Sequence, residues 1–367
     1  MGGYADIRHK IGPARASRLW LAVAWTMIAP ACIEVPYEIV SVDEPLPPVT
    51  APASTAPVAF ESADGRIALS GTLSLPHGQP PFPAIVVLES ELCENDFPQW
   101  APPAFNTWGY ATLTVDSYAA RGMSKGSCQD FASLEGSDTI ADAYGALAAL
   151  ASDSNIDRDR IALVGISDGA TTALLADTDE ARRAFVHPGD AGFRAVFAVS
   201  PFCRFDFTRA APTTSAPLRI FIGERDDLVP AASCTNLAHA LNLRGGDVDT
   251  IVYPGAEHWF DYAPPDWSPS PDDPAAMHPW GRAFTYPRPA YNVPFADNLA
   301  GCTIRIKSVF EKVEPSQVKD CIRKGGHIAG DASAATDLQV AMKAELHTLL
   351  APPAAPSASA RLVRTVR

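Results

Sequence analysis

The sequence predicts an α/β fold in which helices flank a mainly parallel β-sheet. Short apolar runs of strand length recur along the chain, helical stretches separate them, and a hydrophobic share of 47% is ample for a core. Strands that alternate with helices are joined by crossover connections, which indicates βαβ units. The predicted strands are 67–75, 84–88, 110–115, 161–166, 195–200, 218–222 and 250–253.

Helical periodicity completes this pattern. Apolar residues recur at helical spacing over 133–151, and Pro230 opens a second helix that continues to Leu243. Two later segments, 298–310 and 336–350, are also predicted to be helical. We therefore expect one folded domain over 58–350, with a Pro- and Trp-rich insertion at about 262–297. The small residues of 351–367 predict a mobile tail.

The N-terminal residues have the features of an export signal. Basic residues that include Arg15 and Arg18 precede an apolar run over 19–31, which ends in Ala-Pro-Ala before Cys32. This run is too short to cross about 30 Å of hydrocarbon comfortably, but it suits a signal peptide over 1–31 that is cleaved before Cys32. An uncleaved anchor is the alternative. Residues 32–57 are rich in Pro and small side chains and predict an extended tether.

The predicted compartment is therefore periplasmic or extracellular. Cys32 resembles the lipid-accepting cysteine of bacterial lipoproteins, and its lipidation would attach the protein to a membrane. The acidic balance, 42 Asp and Glu against 29 Lys and Arg, disfavours nucleic acid as a partner. Nothing in the sequence indicates an oligomeric state.

Six further cysteines form an even set, which favours disulfides in an oxidising compartment. Segments that leave the same edge of neighbouring strands could be joined by one bond each, and another bond could close a C-terminal excursion. The favoured pairings are Cys93–Cys128, Cys203–Cys234 and Cys302–Cys321. Fifteen connectivities remain open, as does the alternative that some are buried thiols.

A Gly-x-Ser-x-Gly motif around Ser167 follows a predicted strand and precedes an apolar helix start. In a nucleophile elbow, a tight turn raises the serine above the sheet, and small residues on both sides make that turn feasible. Gly165 and Gly169 supply the room. The alternative is a glycine-rich turn without chemistry.

A serine hydroxyl needs a base and an orienting carboxylate, which in this fold follow it in the order acid, then histidine. Asp226 comes after the strand 218–222, and His258 comes after the strand 250–253. Both are at the carboxyl ends of strands, where α/β sites form. We predict a Ser167–His258–Asp226 triad, with Asp227 as the main alternative to Asp226. Asp226 or Asp227 could instead cap the following helix.

Residues 83–260 carry several landmarks in order. These are Asp116-Ser-Tyr-Ala-Ala-Arg121-Gly, Asp142-Ala-Tyr-Gly-Ala-Leu147, Asp157-Arg-Asp-Arg-Ile161, the motif around Ser167, Gly223-Glu-Arg-Asp226 and Tyr253-Pro-Gly-Ala-Glu-His258-Trp-Phe. With these landmarks the segment resembles the dienelactone hydrolase family of α/β-hydrolases. The resemblance implies an eight-stranded α/β-hydrolase sheet and hydrolysis of esters or lactones without a metal or organic cofactor. Members carry Cys or Ser as nucleophile, and Ser167 matches the esterase-like branch.

Further site residues follow from the same comparison. Backbone N–H groups of Asp168 and Glu91 are the candidate oxyanion donors. Arg121 resembles the family arginine that binds a substrate carboxylate, a salt bridge within the fold being the alternative. Trp259 is a candidate wall of the substrate pocket.

Together these residues predict a serine hydrolase that cleaves a small-molecule carboxylic ester or lactone through an acyl-enzyme. A peptidase or an acyltransferase would use the same triad. A non-catalytic, envelope-tethered binding protein is the alternative from another class, suggested by the acidic Glu89-Ser90-Glu91 segment and the proline-rich insertion.

Overall fold

The structure, a computed structural model, describes residues 46–88, 100–122, 136–207, 213–261, 291–292, 297–313 and 315–352. Nine strands precede the insertion in the described residues. They are β1 (Ser54–Glu61), β2 (Ala68–Leu75), β3 (Phe82–Leu88), β4 (Ala111–Asp116), β5 (Ile156–Ile166), β6 (Ala195–Val199), β7 (Phe205–Phe207), β8 (Leu218–Gly223) and β9 (Val248–Tyr253).

All of these strands except β7 form one eight-stranded sheet in the order β1-β2-β4-β3-β5-β6-β8-β9. Strand β2 pairs antiparallel with both of its neighbours. Every other neighbouring pair is parallel. The predicted eight-stranded, mainly parallel sheet of an α/β-hydrolase fold is therefore confirmed.

Helices cover both faces of the sheet. The helices are α1 (Ala101–Thr107), α2 (Gly136–Ser152), α3 (Asp168–Ala176), α4 (Asp179–Phe185), α5 (Ala231–Asn242), α6 (Pro315–Val318) and α7 (Ala332–Leu349). Ala84 and Val86 of β3 belong to the core layer shared with α2, α3 and α5. Ile85 and Val87 belong to the opposite layer, shared with α1 and α7. Because the strands are buried on both faces, their sequences are continuous apolar runs.

In the described residues, five short strands come after β9, the first of them within the predicted insertion 262–297. They are β10 (Tyr291–Asn292), β11 (Asp297–Asn298), β12 (Ile304–Ile306), β13 (Arg323–Lys324) and β14 (His327–Ile328). Strand β10 pairs with β14, and β11 pairs with β13. Strand β12 pairs in parallel with β7, and Arg305 binds Asp206 across that pair at 2.9 Å.

This region corrects one sequence prediction, because residues 298–310 are not helical. Ile304 and Ile306 are buried while Arg305 is exposed, which is the two-residue period of a strand. The parallel pairing with β7 gives their backbone groups partners outside the segment. Strand pairing across the fold therefore prevailed over the local helical pattern.

The first strand also begins earlier than the expected domain boundary at residue 58. Strand β1 starts at Ser54, so the last four residues of the predicted tether 32–57 pair with β2. The eight-residue ladder, together with the packing of Val58 and Phe60 against the core, explains the difference. The predicted signal 1–31, Cys32 and the tail beyond Pro352 lie outside the described residues.

Two of the three favoured disulfides are present, Cys203–Cys234 and Cys302–Cys321. Cys93 and Cys128 lie outside the described residues. The two bonds are compatible with an exported protein. In the portion of the chain that the structure describes, no helix combines the length and apolarity needed to span a bilayer.

We expect the Cys203–Cys234 bond to stabilise the folded domain. Its two cysteines are 31 residues apart, and closing a loop of this size restricts the unfolded chain. A Cys203→Ser/Cys234→Ser variant should lose about 3 kcal/mol in free energy of unfolding, measured by urea denaturation without reductant. The control is Cys302→Ser/Cys321→Ser, which removes the other described bond and leaves Cys203–Cys234 in place. An unchanged midpoint would contradict a structural role for the bond.

Candidate active site

Ser167 lies in the sharp turn between β5 and α3. Its backbone has φ 54° and ψ −115°, a conformation that L-residues rarely adopt, and its N–H donates to Val199 O at 2.8 Å. A Cβ at Gly165 would lie 2.0 Å from the carbonyl oxygen of Gly169, so the turn closes only because residue 165 has no side chain. This is the geometry predicted for a nucleophile elbow.

Asp226 follows β8 and is held from two sides. Its Oδ1 accepts hydrogen bonds from the N–H groups of Leu228 (3.1 Å) and Val229 (2.9 Å). Its Oδ2 lies 2.6 Å from Nδ1 of His258. Helix α5 has Pro230 at its N-cap, so the alternative role of Asp226 as a helix cap is not observed.

His258 connects this carboxylate to the serine. Its Nε2 lies 3.1 Å from Oγ of Ser167, while Nδ1 faces Asp226. Asp226 and His258 are both buried, with 3% and 4% of their surface exposed. The three residues predicted from the sequence therefore form one continuous chain of hydrogen bonds.

Two loops approach each other closely behind these hydrogen bonds. They are the acid loop, which follows β8 and carries Asp226, and the histidine loop, which follows β9 and carries His258. A Cβ at Gly223 would lie 2.5 Å from Ala256 O, and Arg225 N–H donates to the same oxygen at 2.8 Å. The glycine at the end of β8 is thus needed for the two loops to meet.

Burial alone would lower the pKa of His258, because it disfavours the charged imidazolium. The charge and hydrogen bond of Asp226 oppose burial and, with smaller contributions from Asp261 and Asp227, raise the pKa above the ordinary 6.5. Asp261 is itself buried, which raises its pKa to about 6, although Trp100 Nε1 donates to its Oδ2 at 3.2 Å.

Asp227, the alternative to Asp226, points to another histidine. Its Oδ1 accepts the backbone N–H of His327 at 2.8 Å, and its Oδ2 lies 2.6 Å from Nδ1 of His327. Between these two neighbouring carboxylates, only Asp226 has a hydrogen bond to His258 in the structure. The geometry therefore favours the original assignment.

Asp168 is the first residue of α3, directly after the serine. The first N–H groups of a helix lack acceptors within the helix, so the Asp168 N–H is suited to bind an oxyanion. Its half-buried side chain accepts a hydrogen bond from Tyr118 Oη at 3.3 Å, and burial raises the pKa of the carboxyl to about 6. Glu91, the second predicted donor, lies outside the described residues.

Arg121 has intramolecular partners. Its guanidinium nitrogens bind the two carboxylate oxygens of buried Asp142 at 2.7 and 3.1 Å, and one also donates to Ser117 O at 2.7 Å. Asp138 lies 3.9 Å away. The arrangement matches the alternative reading, a salt bridge that ties the end of β4 to α2. The predicted binding of a substrate carboxylate is not supported by these contacts.

Trp259 follows His258 with a positive φ of 67°. Its side chain keeps only 9% exposure, so it contributes more to the core than to an open pocket wall. Trp267 and Trp280 of the insertion lie outside the described residues.

A small hollow lies beside the elbow, lined mostly by residues of β4, α2 and α3. Its polar lining residues are Ser117, Tyr118, Thr139, Asp168 and Thr172, and its apolar lining residues include Leu88 and Val115. The eight lining residues include no Lys or Arg. Within the described ranges, no three or more His, Cys, Asp or Glu side chains are grouped so as to hold a metal ion.

Sequence reasoning missed Tyr118, Asp261, Trp100 and His327. Asp261 is three residues after His258, so its place near the site could have been predicted from the sequence. Tyr118 is 49 residues and Trp100 is 67 residues before Ser167, and His327 is 69 residues after His258. Only the folded structure brings them to the site.

One comparison with a solved structure supports the fold, and a second solved structure is similar over part of the chain. A dienelactone hydrolase-like promiscuous phosphotriesterase, P91, from metagenomic libraries is 17% identical with a TM-score of 0.52, over 81% of this chain and 99% of that chain. The esterase Est2 of Thermogutta terrifontis is 18% identical with a TM-score of 0.45, over 57% of this chain and 86% of that chain. A comparison with curated proteins gives no significant match.

The family itself is shown by a sequence model. The model of the dienelactone hydrolase family matches residues 69–286, more than half of the chain. This range contains the elbow, the acid loop and the histidine loop described above. The resemblance inferred from the motifs is therefore confirmed, and the chain belongs to the dienelactone hydrolase family, a family of hydrolases.

Proposed function

We propose that this protein hydrolyses small-molecule carboxylic esters or lactones, with Ser167 as the nucleophile. The observation that carries the proposal is the unbroken chain from Ser167 Oγ through His258 to Asp226, at 3.1 and 2.6 Å. A hydroxyl within hydrogen-bond reach of a histidine that is itself held by a carboxylate is the arrangement that activates serine.

In the first half-reaction, His258 Nε2 takes the proton from Ser167 Oγ as the oxygen attacks the ester carbonyl. Asp226 fixes the tautomer with the proton on Nδ1 and stabilises the imidazolium that forms. The alcohol leaves with a proton from His258, and the acyl group stays on Ser167.

The developing oxyanion needs donors that are already in place. The Asp168 N–H, at the N-terminus of α3, is one such donor, and the helix dipole adds favourable potential there. Glu91 N–H remains the predicted second donor. In the second half-reaction, water deprotonated by His258 attacks the acyl-enzyme, releases the acid and restores Ser167.

The electrostatics of the site favour an uncharged substrate. Asp142 engages the one arginine that the family resemblance offered for a substrate carboxylate. The hollow beside the elbow has Asp168 and no Lys or Arg among its eight described lining residues. A substrate carboxylate near this hollow would meet the like charge of Asp168 without a basic partner among those residues. We therefore propose neutral esters or lactones as the substrate class.

The same proposal places the enzyme outside the cytoplasm. The predicted signal 1–31 directs export, lipidation of Cys32 would add membrane attachment, and the two disulfides agree with an oxidising compartment.

Labelling by a fluorophosphonate tests the nucleophile directly. Wild-type protein should be labelled and should hydrolyse a short-chain aryl ester, whereas Ser167→Ala should lose both properties. His258→Ala should lower kcat by at least about 10³-fold, because the serine then lacks its base. Gel fluorescence and steady-state kinetics measure the two effects.

The control is Ser233→Ala in α5, a partly exposed serine of the same chain. It should label and turn over as wild type does. A folded wild type that is neither labelled nor active would sink the hydrolase proposal and favour the binding-protein alternative. Products formed with added alcohols or amines would identify an acyltransferase.

The raised pKa of His258 predicts the pH dependence of the reaction. Only the neutral imidazole acts as a base, so kcat/KM should rise with pH through a midpoint above 6.5. Asp226→Asn removes the charge that stabilises the imidazolium, so it should move this midpoint to lower pH and reduce kcat by about 10⁴-fold. A midpoint that is the same in both proteins would contradict this assignment of Asp226.

The charge of the hollow predicts substrate selectivity. An aryl butyrate should have a kcat/KM at least about tenfold above that of the corresponding aryl hemisuccinate, whose acyl chain ends in a carboxylate. Asp168→Asn should reduce the ratio of the two kcat/KM values. A pH below about 6, where the Asp168 carboxyl becomes neutral, should do the same. If the hemisuccinate were hydrolysed faster than the butyrate, a cationic side chain would have to bind the acyl carboxylate, and the proposed preference for neutral substrates would be wrong.

A further inference from the structure

A short C-terminal segment links the two loops that carry the acid and the base of the site. We call residues 326–329 the clamp. The clamp contains strand β14 and precedes α7. It contacts the acid loop after β8 and the histidine loop after β9, although it is about 70 residues beyond His258 in sequence.

On the acid loop, the clamp is bound by the neighbour of the triad carboxylate. Both carboxylate oxygens of Asp227 bind His327. Oδ1 accepts the backbone N–H at 2.8 Å, and Oδ2 lies 2.6 Å from Nδ1. Such two-point binding fixes orientation as well as distance. The backbone of His327 is therefore held by Asp227, the residue next to Asp226 in sequence.

On the histidine loop, the clamp binds the backbone of the base itself. Ala329 N–H donates to His258 O at 3.0 Å, and His258 forms a parallel bridge with Ile328. Asp331 N–H donates to Phe260 O at 3.0 Å. Ile328 is buried, which anchors the clamp beneath the loop.

Close packing connects the two contacts. A Cβ at Gly326 would lie 2.2 Å from Cδ2 of Leu228, so the clamp lies directly against the residue whose N–H donates to Asp226 Oδ1. The clamp thus touches the support of Asp226 on one side and the backbone of His258 on the other.

We propose that His327 is a positioning residue, which acts through the clamp to hold His258 in line between Asp226 and Ser167. This inference rests on the proposed function. Among the hydrogen bonds of the described residues, those of His327 on this side go to Asp227 and not to a triad side chain. The two residues after His327 determine where the backbone of His258 lies.

A general stabilising role would give a different result. The side chains of His327 and Asp227 are 49% and 42% exposed, and half-exposed ion pairs add little to global stability. Displacing a catalytic base by a fraction of an ångström, in contrast, lowers the rate of the chemical step without affecting substrate binding. The loss should therefore appear in kcat rather than in KM or in the melting temperature.

The test compares three substitutions with a short-chain aryl ester as substrate. His327→Ala removes the side-chain donor, and kcat should fall by about tenfold while KM stays within about twofold. His327→Asn keeps an N–H group near the position of Nδ1 and should recover most of the rate. His239→Ala, an exposed histidine in α5, is the matched control and should behave as wild type.

Asp227 provides an independent check. Asp227→Ala removes both contacts to His327, so kcat should fall at least as far as in His327→Ala, and the double variant should be no slower than Asp227→Ala alone. Fluorophosphonate labelling rates should fall by the same factor as kcat. Circular dichroism and thermal melting confirm that each variant is folded.

The outcomes separate this inference from the proposed function. An unreactive wild type would overturn the proposed function. If wild type reacts and His258→Ala does not, an unchanged kcat in His327→Ala would overturn the positioning role alone. A loss that His327→Asn fails to recover, or one that appears chiefly in KM, would also overturn it.

Discussion

The hydrogen bond between Asp226 and His258 is the interaction on which the rest of the site depends. It is buried, and its partners come from loops that follow two neighbouring parallel strands, β8 and β9. The register of those strands places Gly223 opposite Tyr253, so the two loops start level with each other. The absence of a side chain at Gly223 then allows them to touch. A parallel sheet thus converts strand register into catalytic geometry.

The parts of the fold that could be predicted from the sequence are those with strong local signals. The buried strands are continuous apolar runs, and the elbow is identified by Gly165 and Gly169 on either side of Ser167. The candidate triad could also be predicted, because the order of its residues along the chain is dictated by the order of the strands. The choice of Asp226 over Asp227 was open, because adjacent carboxylates differ only in the direction in which the turn points them.

The errors have a common physical cause, which is pairing over long sequence distances. Residues 298–310 have a helical pattern locally, yet the partner of Ile304–Ile306 is β7, about a hundred residues earlier. Arg121 looked available for a substrate because its ion pair with Asp142 exists only when α2 packs against the end of β4. Likewise, no local pattern relates His327 to Asp227. Sequence periodicity indicates which face of a helix or strand is buried, but it does not identify the element that packs against that face.

The position of α7 has a consequence for the time at which the enzyme becomes competent during its synthesis. Leu338, Met342 and Leu346 of this last helix close the second face of the sheet, and the clamp that contacts His258 immediately precedes it. A ribosome releases the elbow and the acid loop long before either part exists. The nascent chain therefore carries Ser167, the proposed nucleophile, on an uncovered sheet, and His258 still lacks its contacts with the clamp. Reactivity should be the last property that the chain acquires, when the final helix docks.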